Sequence, residues 1–273
     1  MKTRILTACV LLALIALGFL FASMRWLPVL LIMLLGVACV HELSAMVQRK
    51  DTMMSRRLGM LAVAAMVYFG WRGEPGAAVY VLGLTAVGAF VLRGRRDPLD
   101  GAWRDIGATL GGVLYIGLPL AVLADLFVRS AETRLWLLLL LAIIWTTDTM
   151  ALVVGKRFGR VKLIPRLSPG KTWEGSLGGT CSALFPCLFF KALAPETFAG
   201  VHAIELLVAS VVFSICTQVG DLAESLIKRD TGVKDSGTLL PGHGGALDRI
   251  DSILFTAVPF AAYLRLFQPE LFT

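Results

Sequence analysis

The chain has 273 residues, of which 57% are hydrophobic and 16% charged, and its mean hydropathy is +0.77. A soluble domain carries about 25% charged residues, so this composition excludes an ordinary soluble protein and indicates a polytopic membrane protein. The formal net charge of +7 is explained more simply by basic residues in cytoplasmic loops than by nucleic-acid binding.

The apolar runs predict an all-α fold of about nine transmembrane helices. These helices are expected near residues 5–22, 26–47, 58–70, 76–92, 106–128, 135–155, 175–194, 203–220 and 250–267. The third segment is short for a span of roughly 20 residues. The first follows Lys2 and Arg4 and has the form of a signal peptide, but the many spans after it favour an uncleaved helix.

The basic residues divide unevenly between alternate loops. If the N-terminus is cytoplasmic, most of the 26 lysines and arginines fall on the cytoplasmic side. This distribution follows the positive-inside rule and predicts a cytoplasmic N-terminus and a C-terminus on the far side. It also places two polar loops, 156–174 and 221–249, together on the cytoplasmic face.

Two predicted helices contain unexpected polar residues. His41 and Glu42 lie near the end of the second helix, where we expect a polar pair that faces lipid headgroups. Asp148 lies about seven residues before Gly155, roughly 10 Å below the membrane boundary at 1.5 Å per residue. A carboxylate at that depth indicates a site facing a polar cavity, a cation or a metal, or else a structural pair with an arginine.

The loop that follows reads LSPGKTWEGSLGG at residues 167–179. Ser168 begins a turn, and Thr172 or Ser176 is a candidate cap for the next helix. Lys171 lies beside a glycine turn at a helix N-terminus, a position that favours contact with phosphate. Alone, this loop would be weak evidence for a phosphate site.

The stretch at residues 220–252, GDLAESLIKRDTGVKDSGTLLPGHGGALDRIDS, concentrates charge in an otherwise apolar chain. If the eighth helix continues out of the membrane, residues at positions i, i+3, i+4 and i+7 form one polar face. These are Asp221, Glu224, Ser225 and Lys228.

The end of this stretch combines a flexible turn with more carboxylates. Residues 241–245 are glycine-rich, and their amide groups can cradle phosphate. Asp248 and Asp251 share one face as the ninth helix begins. His243 is either a phosphate contact or acid, or a structural residue.

Carboxylates beside basic residues and a glycine-rich loop suit phosphoryl or nucleotidyl transfer. Aspartates hold Mg²⁺, which bridges substrate phosphate oxygens, while basic residues and amides stabilise developing charge. The two acidic clusters are compatible with one or two divalent ions. They also leave room for a second cation of another kind. The alternative is a solvated loop held by salt bridges.

The same stretch resembles the signature of the CDP-diacylglycerol synthases, the phosphatidate cytidylyltransferases: S-x-x-K-R-x-x-x-x-K-D-x-G-x-x-x-P-G-H-G-G-x-x-D-R-x-D. The pattern is met by Ser225, Lys228, Arg229, Lys234, Asp235, Gly237, Pro241, Gly242, His243, Gly244, Gly245, Asp248, Arg249 and Asp251. SPGKTWEG at 168–175, Asp148–Thr149 and Gly220–Asp221 are also similar to family segments. The chain departs from many members after the Asp-Thr pair, at Met150 to Leu152, which leaves the acyl preference open.

The resemblance implies a Mg²⁺-dependent reaction of CTP with phosphatidate that gives CDP-diacylglycerol and pyrophosphate. It further implies a multi-pass protein of the bacterial inner membrane with a cytoplasmic active site, acting as a homodimer and without nucleic acid. Residues 1–100 would then be N-terminal transmembrane helices and residues 101–273 the catalytic domain. Two alternatives stay open: a CTP-dependent lipid kinase of the polyprenol or phytol type, and an ion-coupled transporter.

On this basis we assign roles to individual residues. The expected metal ligands are Asp148, Asp221, Asp248 and Asp251, and the last three would act in catalysis together with Lys228 and Arg249. The expected contacts to substrate phosphates are Ser168, Lys171, Thr172, Arg229, Lys234, Gly242, His243, Gly244 and Gly245.

Overall fold

The structure is a computed structural model that describes residues 16–19, 21–239 and 244–272. The chain divides into two compact units. Unit 1 comprises Met1–Val128 and Lys228–Ile250, and unit 2 comprises Arg129–Ile227 and Asp251–Thr273. This structural division does not follow the expected functional boundary at residue 100, which remains a prediction.

The described residues are almost entirely helical. The α-helices are α1 (Trp26–Gln48), α2 (Arg56–Trp71), α3 (Ala77–Gly94), α4 (Ala102–Arg129), α5 (Ala131–Phe158), α6 (Trp173–Ser182), α7 (Leu184–Leu193), α8 (Ala203–Asp230) and α9 (Leu247–Phe267). Short 3₁₀ helices lie at Ala22–Met24 and Pro269–Phe272, and a hairpin is formed by β1 (Lys162–Ile164) and β2 (Ser168–Thr172).

Seven helical stretches of the described chain are long and apolar enough to cross a membrane: α1, α3, α4, α5, α6 together with α7, α8 and α9. The helix predicted at 58–70 exists as α2, but its 16 residues are shorter than these spans. Most of the segment predicted at 5–22 lies outside the described residues. The count of nine spans and the orientation of the termini therefore remain predictions.

Two polar segments expected as loops contain regular structure. The segment 156–174 folds into the antiparallel β1–β2 hairpin, in which Lys162 pairs with Thr172, so the fold is not purely α-helical. Pro165 and Pro169 disfavour helix in this segment because proline lacks an amide donor.

The helix expected at 203–220 continues to Asp230, which makes the first ten residues of the expected loop 221–249 helical. Those residues include the helix formers Leu, Ala, Glu, Lys and Arg and contain no glycine or proline. Gly232, with φ at +72°, follows the helix in a left-handed conformation that favours glycine.

Within unit 1, small residues allow α1, α2 and α4 to pack closely. A Cβ atom added to Gly36 of α1 would lie 2.7 Å from Leu120 of α4 and from Val63 of α2. A Cβ atom on Gly70 would overlap the backbone of Ala121. Glycine is therefore needed at Gly70, where the neighbour is backbone, and it favours the close contact at Gly36, as is common in membrane helices.

A buried ion pair joins α3 to α4 in unit 1. Arg93 Nε donates to Asp105 Oδ2 at 2.7 Å, and both side chains are buried. Met53 N donates to Asp105 Oδ1 at 2.8 Å, and the Arg93 guanidinium also donates to the carbonyls of Pro98 and Asp100. The pair thus holds the connection before α2 and the connection before α4.

Within unit 2, glycines bring together the helices that carry the predicted site. A Cβ atom on Gly175 or Gly179 of α6 would lie 2.6–2.7 Å from the carbonyl oxygens of Ala151 and Thr147 of α5. A Cβ atom on Gly220 of α8 would lie 2.7 Å from the carbonyl oxygen of Asp251 of α9. The backbones of α5 and α6, and those of α8 and α9, therefore approach closely.

Candidate functional site

Lys171 and Asp221 form an ion pair in unit 2. Lys171 Nζ lies 2.7 Å from Asp221 Oδ2, and the side chains are 24% and 38% exposed. Lys171 Nζ also donates to the carbonyl oxygen of Gln218 at 3.4 Å. The ammonium group of β2 thus reaches the polar face predicted for α8.

Thr172 and Ser168 lie on the same strand as Lys171. The Thr172 side chain caps α6 by accepting a hydrogen bond from Gly175 N at 3.1 Å, which confirms one of the two predicted caps. Because Thr172 is buried and its oxygen holds the helix end, its first role here is structural. Ser168 is half-buried at the start of β2, opposite Ile164.

Three carboxylates of unit 2 interact around this lysine. Asp148, exposed on α5, interacts electrostatically with Asp251, Asp221 and Lys171. Asp251 is nearly buried, and its Oδ1 accepts a hydrogen bond from Ser252 N at 2.7 Å. Asp148 therefore has two carboxylates and one ammonium group as charged neighbours, and carboxylates grouped in this way favour a further cation.

In the described residues, no group of three or more His, Cys, Asp or Glu side chains is arranged to hold a metal ion by itself. This does not conflict with magnesium chemistry, because Mg²⁺ is usually bound through one or two carboxylates together with substrate phosphates and water. The acidic residues of unit 2 fit that mode of binding.

Asp248 is the centre of the polar cluster in unit 1. Lys228 Nζ donates to Asp248 Oδ1 at 2.7 Å, and each side chain is 14% exposed. Ser236 N and Gly245 N donate to Asp248 Oδ2 at 3.0 and 3.2 Å. This carboxylate therefore holds both the lysine of the signature and the backbone on either side of its glycine-rich turn.

Glu42 of α1 holds the same segment from the other side. Its Oε2 accepts hydrogen bonds from Ser236 Oγ at 2.9 Å and Leu247 N at 3.0 Å, and its Oε1 accepts one from Ala246 N at 2.9 Å. Glu42 is 2% exposed, so the expectation that it faces lipid headgroups is wrong. A buried carboxylate is stable here because backbone and hydroxyl donors satisfy both oxygens.

The glycines of the signature allow this arrangement. A Cβ atom on Gly245 would overlap Ser236 Oγ, and one on Gly237 would overlap the carboxylate of Glu42. Gly244 has φ at +85°, a left-handed conformation that favours glycine. Gly242 and His243, predicted to contact phosphate, lie outside the described residues.

The remaining predicted phosphate contacts of unit 1 lie on its surface. Arg229, Lys234 and Arg249 have exposed side chains. Arginine and lysine in such positions attract anionic ligands at little desolvation cost. The structure therefore brings together Lys228 and Asp248 and leaves these three cations at the surface.

Sequence reasoning missed Glu42 and Ser236 as organising residues. Glu42 pairs with Ser236 across 194 positions of sequence, a distance at which no local pattern operates. The available signal was a carboxylate within an otherwise apolar helix, which indicates a function or a partner by default.

Comparison with known proteins gives a consistent picture. The family model described as "Cytidylyltransferase family" matches residues 2–267. A Brucella abortus protein named phosphatidate cytidylyltransferase is 34% identical over 266 residues, which are 94% of this chain and 90% of its own length. A Haemophilus influenzae protein of the same name is 46% identical over 135 residues, 48% of this chain and 46% of its own. One from Rickettsia conorii is 38% identical over 151 residues, 54% of this chain and 65% of its own.

Proposed function

Because this chain belongs to the cytidylyltransferase family, we propose that it transfers CMP from CTP to phosphatidate, giving CDP-diacylglycerol and pyrophosphate. The observation that carries this proposal is 34% identity over 94% of the chain to a protein named for that reaction. The family resemblance expected from the signature is thereby confirmed.

The reaction requires a phosphate oxygen of phosphatidate to attack the α-phosphorus of CTP in line with the departing pyrophosphate. The lipid phosphate is already anionic at neutral pH, so no strong general base is needed. Catalysis then rests on positioning the two substrates and on stabilising charge in the transition state.

Lys171 is the first residue that we assign to substrate phosphate. Its ion pair with Asp221 is partly exposed, and such pairs contribute only about 0–1 kcal/mol. Lys171 can therefore exchange the Asp221 carboxylate for a phosphate oxygen at little cost in free energy. Ser168 and Thr172, on the same strand, would position Lys171 or contact the phosphate directly.

Asp221 and Asp251, with Asp148 beside them, are the residues that we propose to hold Mg²⁺. When bound there, the ion would neutralise charge on phosphate oxygens of CTP. Lys171 already provides one positive group beside Asp148 and Asp221.

In unit 1, we assign Lys228 to a substrate phosphate and Asp248 to holding Lys228 in place. A ligand role for Asp248 remains a prediction, because its oxygens already accept from Lys228, Ser236 and Gly245. Arg229, Lys234, Arg249 and the glycine-rich turn with Gly242, His243 and Gly244 would attract and hold the phosphates of both substrates.

The cellular setting follows from the same assignment. Seven membrane-crossing candidates in the described residues support a multi-pass membrane protein. We propose a bacterial inner membrane, an active site facing the cytoplasm where CTP is present, and a homodimer.

Substitution of Asp221 tests the assignment of the acidic residues. We expect Asp221→Asn to lower CMP transfer to phosphatidate by at least about 100-fold, because a neutral amide holds Mg²⁺ and Lys171 poorly. The measurement is the rate of lipid labelling from α-labelled CTP in membranes, over a range of Mg²⁺ concentrations.

Asp230→Asn is the matched control, since Asp230 is an exposed carboxylate at the end of the same helix. It should retain wild-type activity and Mg²⁺ dependence. Wild-type activity in Asp221→Asn would remove Asp221 from the proposed site.

A further inference from the structure

Unit 1 contains a cavity that the proposed reaction does not use. It has a volume of about 740 Å³, within the range of about 300–1,000 Å³ that ligand sites occupy. It is formed by the end of α1, the connection to α2, the first turn of α2 and the end of α3. None of its lining residues belongs to the signature stretch or to the SPGKTWEG segment.

The cavity is basic. Arg56, Arg57 and Arg96 line it, and its lining includes no aspartate or glutamate. In the part of the chain that the structure describes, no acceptor is found for the guanidinium groups of these three residues. Arginine offers up to five donors in a planar arrangement that matches phosphate oxygens, so these side chains suit a phosphate ligand.

The start of α2 adds to the positive potential. Ser55 occupies the N-cap position but makes no side-chain cap hydrogen bond, and it lines the cavity together with Arg56 and Arg57. The first amide groups of a helix lack partners within the helix and favour an anion. Hydroxyl and amide groups of Ser44, Gln48 and Thr52 complete the polar part of the lining.

The position of the cavity relates it to the membrane. Gln48 is the last residue of α1, and Leu92 lies near the end of α3, and both helices are long and apolar enough to span a bilayer. The cavity therefore lies where two spans end, at the depth of lipid headgroups. Met53 and Leu92, which also line it, are exposed apolar side chains suited to the first carbons of an acyl chain.

From these observations we propose that the cavity binds the phosphate group of an anionic membrane phospholipid, separately from the reacting substrates. The arginines and the first turn of α2 bind the phosphate, and the apolar part of the lining contacts the first carbons of an acyl chain. Basic pockets at the ends of membrane helices bind anionic headgroups by this chemistry. A phosphate-bearing solute from the cytosol shares the chemistry but would not use the apolar residues.

The test is lipid binding to the purified full-length protein in neutral detergent. The probe is a short-chain phosphatidylglycerol, an anionic phospholipid that is not the proposed substrate, and phosphatidylcholine and inorganic pyrophosphate are separate competitors. We expect saturable binding that phosphatidylcholine and pyrophosphate do not displace. We expect Arg56→Gln/Arg57→Gln to weaken binding by at least about 10-fold, since hydrogen bonds to charged groups are the strong ones.

The control is Arg49→Gln/Lys50→Gln, which removes the same charge from the adjacent end of α1, outside the cavity lining. It should bind lipid within about twofold of wild type. Equal weakening in both variants would mean attraction by surface charge alone and would overturn the proposal. Unchanged lipid binding in Arg56→Gln/Arg57→Gln would also overturn the proposal. Thermal unfolding of both variants at the wild-type temperature shows that each is folded.

Displacement of the lipid by pyrophosphate would overturn the proposal that the ligand is a membrane phospholipid, because it would identify the ligand as a soluble phosphate compound. The assay contains neither CTP nor phosphatidate, so its outcome does not depend on the proposed reaction.

Discussion

Two carboxylates, those of Glu42 and Asp248, hold the signature segment in place. Glu42 accepts hydrogen bonds from Ser236 Oγ, Ala246 N and Leu247 N, and Asp248 accepts from Lys228, Ser236 N and Gly245 N. Hydrogen bonds to a charged group contribute about 1.5–3 kcal/mol each, more than neutral ones. The geometry of Lys228 therefore depends on a residue far away in the sequence.

Replacement of Glu42 tests this dependence. We expect Glu42→Gln to lower the free energy of unfolding by about 2 kcal/mol or more, because an amide loses the charge and directs its own N–H groups at donors. We expect kcat to fall at least about 10-fold as Lys228 and Asp248 lose their fixed positions. Thermal unfolding and steady-state kinetics measure the two effects.

Glu74→Gln serves as the comparison, since Glu74 is an exposed carboxylate of unit 1. It should change stability by no more than about 0.5 kcal/mol. If Glu42→Gln behaved like Glu74→Gln, the structural role of Glu42 would be excluded.

At the residue scale, the sequence predicted which residues lie together better than it predicted which partners hold each of them. Lys228, Asp248 and the Gly244–Gly245 turn do lie together in unit 1, and Asp148, Lys171, Asp221 and Asp251 interact in unit 2. The sequence could not predict that Gly245 leaves room for Ser236 and Glu42, because that reason depends on packing between distant segments. It also could not predict which donors satisfy Asp248.

At the scale of helices, α8 and α9 approach each other closely in unit 2 at Gly220, the residue before Asp221. Gly220 permits this approach because its missing Cβ would lie 2.7 Å from the carbonyl oxygen of Asp251 and 3.0 Å from Phe255. A side chain at residue 220 would therefore push the two backbones apart. The proposed Mg²⁺ ligands Asp221 and Asp251 would separate with them.

We expect Gly220→Ala to destabilise the protein by about 1–3 kcal/mol, the usual effect of overpacking. We also expect it to raise the Mg²⁺ concentration needed for half-maximal activity. The measurements are thermal unfolding and a Mg²⁺ titration of CMP transfer. Gly200→Ala in the same unit should leave both quantities near wild type, since nothing lies within 4 Å of the added Cβ.

An unchanged Mg²⁺ requirement in an active Gly220→Ala protein would contradict the link between this helix contact and the metal. A lowered stability without that change would leave only a packing role for Gly220.

The helices themselves were mostly predictable, because apolar runs of membrane length leave few alternatives to helix. The errors lie at their polar ends. α8 extends to Asp230 and α5 to Phe158, since charged residues with good helix propensity continue a helix beyond the apolar core. The β1–β2 hairpin was missed because its strands of three and five residues carry little periodic signal.

At the scale of the whole molecule, the topology depends on whether α2 crosses the membrane. α2 has 16 residues and is not among the membrane-crossing candidates, whereas the basic residues of alternate loops predict nine spans. Whether α2 crosses the bilayer decides on which side the connection between α2 and α3 lies.

Reporter fusions measure this directly. We expect a periplasm-active reporter to be active both after Arg72 and at the C-terminus, and a cytoplasm-active reporter to be active in the β1–β2 hairpin. With a further cytoplasm-active reporter active after Lys50, this pattern requires α2 to span, and with a cytoplasmic N-terminus it requires an odd total number of spans. A cytoplasmic position after Arg72 would contradict a spanning α2, and a cytoplasmic C-terminus would contradict nine spans.

The path of the CTP phosphates distinguishes the proposed reaction from lipid phosphorylation and can be followed in a single measurement. Purified protein is given phosphatidate, Mg²⁺ and CTP labelled in parallel reactions at the α- or γ-phosphorus. We expect the α-label to enter the lipid as CDP-diacylglycerol and the γ-label to leave as pyrophosphate, with one pyrophosphate for each lipid formed. Transfer of the γ-label to a lipid with release of CDP would identify a lipid kinase and contradict the proposed function.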